Sequence, residues 1–124
     1  MNVSPHNIYL NMYYELDDAW KERPNNALGD YLSEANPFFW KGCHSADSAI
    51  WAEYNDAFKK LRPNGCQTLE DAYGFVCTYL QEAGVYYNTV NPGTPPIAST
   101  FRMHTSLQAW KDNFSDFPTE RWTD

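Results

Sequence analysis

The sequence predicts an all-α fold: a compact bundle of about five short helices in a single domain spanning residues 1–124. Three observations carry that prediction. Apolar residues recur at steps of three and four in successive segments. Most of those segments open at a capping residue and close at proline, glycine or asparagine. No stretch shows sustained strand-like alternation.

Ser4-Pro5 reads as an N-cap followed by proline at the first helical position, where the missing N–H costs nothing. Tyr9, Met12, Tyr13, Leu16 and Trp20 then lay one apolar stripe over about four turns, ended by Pro24. Leu28, Tyr31, Leu32 and Ala35 mark a second helix, stopped at Asn36 because a residue before proline is pushed out of the helical region; Gly29 weakens it slightly. Ser45 or Asp47 caps a third, with the stripe Ile50, Tyr54, Ala57, Phe58 and Leu61, closed by Arg62-Pro63-Asn64-Gly65. Thr68 stands three residues before Asp71 and caps a fourth, whose inner face is Leu69, Ala72, Tyr73, Val76, Leu80 and Ala83, with Gly84 as its terminator. The segment 85–103 is expected to be irregular around Asn91-Pro92-Gly93; the alternative is a small hairpin in an α+β fold. Pro92, Pro95 and Pro96 remove three ladder donors and disfavour that hairpin. Thr105-Ser106-Leu107-Gln108 is a further cap pattern, and Leu107, Trp110 and Phe114 form the last helix before Pro118 and a polar, loose end.

A chain of 124 residues with 43% hydrophobic content can bury its own core. No apolar run approaches the roughly 18 residues that a membrane span needs, and Asn2, Ser4, His6 and Asn7 occupy the place of a signal peptide's apolar stretch. A cytoplasmic location is expected. Cys43, Cys66 and Cys77 are an odd number at unrelated spacings, so reduced thiols are expected rather than a disulfide framework. Sixteen acidic against nine basic residues give a formal charge of −7, which repels phosphate backbones and anionic lipids. Neither nucleic acid nor membrane is an expected partner. The same charge keeps a chain soluble and attracts basic proteins. Nine Tyr, five Trp and seven Phe must carry much of the burial that Ile, Leu and Val do not supply, and any surplus is available to an interface.

Known catalytic patterns are missing. The positions three before His6, His44 and His104 are Val3, Lys41 and Phe101, so the Glu-x-x-His motif of a di-iron bundle is absent. The only close Cys/His pair, Cys43-His44, is adjacent, and its side chains diverge. There is no nucleophile elbow, phosphate loop or His-Glu-x-x-His. No metal, cofactor or catalytic residue is assigned. Two weaker candidates compete with plain structural roles. Cys43 lies near Lys41 and a helix start, both of which lower a thiol pKa, but lacks an identifiable base or oxyanion site. Glu15, Asp18 and Glu22 share one face of the first helix, which reads more readily as a solvated face than as a hydrolytic site.

The stretch Asn36 to Asp47 is mostly a corner between helices. Its polar half is explained by helix boundaries, leaving Phe38, Phe39 and Trp40, three consecutive rings that cannot all point inward. One or two are expected to plug the gap between helices; the remainder, with Trp51, is the candidate partner-binding set. The function expected is that of a small acidic protein-binding domain, an inhibitor or immunity-type protein, an adaptor or a self-associating subunit, and not an enzyme. The alternative is a small-molecule or sugar binder with an aromatic pocket.

Overall fold

Ser4 opens the first helix as its sequence dictates: the hydroxyl accepts from the Asn7 N–H and Pro5 takes the first helical position. A computed structural model describes residues 2–40 and 44–117, and among these the chain forms six helices and no strand beyond an isolated bridge between Val3 and Cys66. They are α1 (Pro5–Glu22), α2 (Asn26–Ala35), α3 (Ser48–Leu61), α4 (Leu69–Val90), α5 (Ile97–His104) and α6 (Leu107–Asn113). Asn25, Asp47, Thr68 and Ser106 cap α2, α3, α4 and α6, each side-chain oxygen accepting a backbone N–H of the first turn. No helix among the described residues is long and apolar enough to cross a membrane.

The segment 85–103 differs from expectation, being neither irregular nor a hairpin. Helix α4 runs past Gly84 to Val90, and Ile97–His104 is a helix, α5, additional to the five expected. Gly84 does not terminate α4. It is the point at which α5 crosses it, where a Cβ would lie 3.2 Å from the Cβ of Ile97. The prolines that disqualify a strand are compatible with a helix start: Pro96 is the N-cap of α5, with φ −56°. The intervening turn is held by Asn88, whose amide donates to Thr94 Oγ1 (3.0 Å) and the Pro95 carbonyl (2.8 Å) while its oxygen accepts from the Ile97 N–H (3.3 Å).

Helix α4 is central and packs against α2, α3, α5 and α6. The core is rich in aromatic rings, with Tyr9, Tyr31, Tyr54, Phe75, Phe101 and Trp110 all fully enclosed. Their polar ends are satisfied by ties between elements. Tyr9 donates to the Ala35 carbonyl (2.6 Å), Tyr54 to the Pro5 carbonyl (2.8 Å) and Tyr73 to the Thr105 carbonyl (2.7 Å). The Trp110 indole N–H donates to the Leu69 carbonyl (3.0 Å), Tyr31 meets Tyr79 at 2.9 Å, and Tyr87 donates to Glu34. A tyrosine thus supplies a Leu-sized or larger apolar body and one directional bond to the next helix.

Candidate binding surface

Phe38, Phe39 and Trp40 follow the buried Pro37 and are all exposed, by 47%, 61% and 57%. This corrects the expectation that one or two of them plug the inter-helix gap. Tyr9 and Trp51 fill that place: Tyr9 ties α1 to the end of α2, and the two rings meet edge to face at 5.3 Å. Trp51 is correspondingly half-buried, packed with His6, His44 and Tyr54 at centroid distances of 4.9, 4.5 and 5.3 Å. It flanks the core, so of the candidate set Phe38, Phe39, Trp40 and Trp51 the first three form the exposed part.

Two residues that local pattern did not single out extend them into a ledge. Tyr14 lies 6.0 Å from Phe38 and 5.5 Å from Phe117, and Tyr13 lies 6.4 Å from Phe38. Phe117 is brought there by an amide clamp from α1. Asn11 donates to the Ser115 carbonyl (2.8 Å) and accepts from its N–H (3.0 Å), and Asn7 accepts from the Phe117 N–H (2.8 Å). Phe39 and Trp40 contact each other edge to face at 4.8 Å. Asp17 and Asp18 stand one turn beyond Tyr13 and Tyr14 on α1, giving the ledge an acidic border. A second exposed apolar strip, Val85, Tyr86 and Val90 on the outer face of α4, contains a single ring.

The carboxylates weighed from sequence make contacts between helices. Glu15 accepts from Thr105 Oγ1 (2.9 Å) and Asn113 (3.4 Å), while Asp18 and Glu22 each lie 3.2 Å from one ring nitrogen of His104. The three carboxylates are therefore ties from α1 to α5 and α6, which their helical spacing alone did not reveal. Cys43, with Lys41 beside it, lies outside the described residues. Burial pushes the Cys66 thiol up to about 11 and raises that of Cys77, so neither is activated as a nucleophile. Among the described residues no group of three or more His, Cys, Asp or Glu side chains is arranged so that it could hold a metal ion.

Beside the ledge lies a cleft of about 440 Å³ between α1 and α2, lined by Tyr13, Asp17, Trp20, Asn25, Asp30 and Asn36 among others. Trp20, expected on the inner stripe, instead sits at its wall, 38% exposed, with its indole nitrogen against Gly29. A Cβ at Gly29 would come within 3.1 Å of that nitrogen. The mid-helix glycine was the available sequence signal of a close approach. No protein-family model, no curated protein and no solved structure matches this chain.

Proposed function

We propose that this chain acts by binding a basic protein partner, with Phe38, Phe39 and Trp40 as its anchors and Tyr14 and Phe117 completing the contact surface. The observation that carries the reading is the exposure of three consecutive large rings in a protein that buries rings such as Tyr9, Tyr31, Tyr54, Phe75, Phe101 and Trp110 completely. Covering the exposed half of one such ring removes roughly 100 Å² from water, worth about 2–3 kcal/mol, so a few anchors suffice for a specific complex. A net charge of −7 and the acidic border favour a basic partner and oppose a second copy of the same chain. An inhibitor, immunity-type or adaptor role in the cytoplasm fits such a surface.

The test is retention of a partner from the source cell by the wild-type chain and by Phe39→Ser/Trp40→Ser, followed by reconstitution with the purified candidate. The reading expects a basic protein that binds the wild-type chain and binds the variant at least tenfold more weakly, with unchanged circular dichroism. Equal binding by both would overturn it.

A further inference from the structure

The cleft between α1 and α2 joins the ledge at two points. The Asn36 side-chain oxygen accepts from the Phe38 N–H at 2.9 Å, and the Tyr13 ring that lines the cleft is 6.4 Å from Phe38. Its walls combine two aromatic rings, Tyr13 and Trp20, with two carboxylates, Asp17 and Asp30, and among the described residues no Lys, Arg or His lines it. Lys21 reaches Asp17 at 3.1 Å from one turn along α1, but its side chain is 66% exposed and such pairs exchange readily with solvent. Asp30 accepts a neutral amide hydrogen bond from Asn91 at 3.1 Å and forms no ion pair among the described residues. We propose that this cleft is a receptor for a cationic side chain, a guanidinium above all, stacking on Trp20 and Tyr13 and paired with Asp17 and Asp30. A planar delocalised cation satisfies both features at once, by stacking on a ring and by bonding to carboxylates. A neutral sugar would stack equally well but bring no counter-ion to Asp30 and none to Asp17 beyond the exposed Lys21. The identity of the bound group as a partner's arginine rests on the proposed function; the receptor itself does not.

The full chain, ¹⁵N-labelled, is titrated with N-acetyl-arginine methylamide while the indole N–H resonance of Trp20, assigned through Trp20→Phe, is followed. A saturable shift in the millimolar range is expected. The uncharged citrulline analogue should bind at least tenfold more weakly, and Asp17→Asn/Asp30→Asn should weaken the arginine amide at least fivefold while leaving the remaining spectrum in place. Phe39→Ser/Trp40→Ser should bind the amide as the wild type does, so a failed ledge and a failed cleft are told apart. The absence of a saturable shift overturns the proposal, as does equal binding of citrulline. So does a response to a methyl glucoside that persists in Asp17→Asn/Asp30→Asn, which would identify a sugar site.

Discussion

Tyr31 and Tyr79 meet hydroxyl to hydroxyl in the middle of the bundle, and burial raises both phenols, that of Tyr79 to about 12. Both therefore stay protonated at physiological pH, so each can donate. Removing one hydroxyl leaves the other buried without its partner, whereas removing both leaves two apolar rings. Tyr31→Phe and Tyr79→Phe are each expected to cost about 1–2 kcal/mol in urea unfolding, and the double variant clearly less than the sum. An additive result would mean that the hydroxyls do not depend on each other. A second residue-scale consequence concerns His6 and His44, whose rings meet edge to face at 5.0 Å beside Trp51. Burial lowers both imidazoles below their ordinary 6.5, and for His44 the neighbouring His6 adds to the effect. The unfolded chain then binds protons that the folded chain refuses, so these two groups make stability rise with pH through the window just below 6.5. Falling pH removes it. Urea midpoints at pH 7.5 and 5.5 should show a smaller difference in His6→Gln/His44→Gln than in the wild type; an unchanged difference would contradict the assignment.

Among the helices, the clearest contrast lies within α4. Gly74 has room for a methyl group, since the nearest atom to a Cβ there is the end of the flexible Arg62 at 3.7 Å, whereas Gly84 faces the anchored Cβ of Ile97 at 3.2 Å. Gly74→Ala should stabilise by about 0.5–1 kcal/mol through helix propensity. Gly84→Ala gains the same propensity but must push α5 away, which costs about 1–3 kcal/mol, so a net loss of roughly 1 kcal/mol is expected. Thermal unfolding of the two variants moving in the same direction would contradict this packing. The same glycine explains where sequence reading failed. The starts of α1, α3 and α4 were legible because caps act within one turn, with Ser4, Asp47 and Thr68 as local signals; Asn36 marked only the end of α2, and α6 is capped by Ser106, one residue after the Thr105 that opens the sequence pattern. The continuation of α4 and the existence of α5 depend on Ile97 meeting Gly84 and Tyr87 reaching Glu34, contacts distant in sequence. A terminating glycine and a packing glycine look alike in one dimension. The ledge divides in the same way. Phe38, Phe39 and Trp40 stand out in the sequence as rings without a helical period, whereas Tyr14 joins them by a contact from α1 to Phe38 and Phe117 through the Asn7 and Asn11 clamp, both distant in sequence. Asn11→Ala removes both bonds to the Ser115 backbone and should cost about 1–2 kcal/mol, read as a lower urea midpoint.

For the molecule as a whole, tyrosine carries much of the burial that leucine carries elsewhere, leaving a small group of rings for the outside. In the proposed function the charge of −7 and the exposed ledge act together, the first steering a basic partner and the second holding it. Association should accordingly slow as salt is raised, while dissociation responds chiefly to the rings. The most direct measurement is selection of a displayed random peptide library against the full chain, followed by fluorescence polarisation of the enriched peptides. The account predicts peptides that pair a bulky apolar residue with arginine and bind at least tenfold more weakly to Phe39→Ser/Trp40→Ser; no enrichment, or affinities indifferent to those two substitutions, would contradict it.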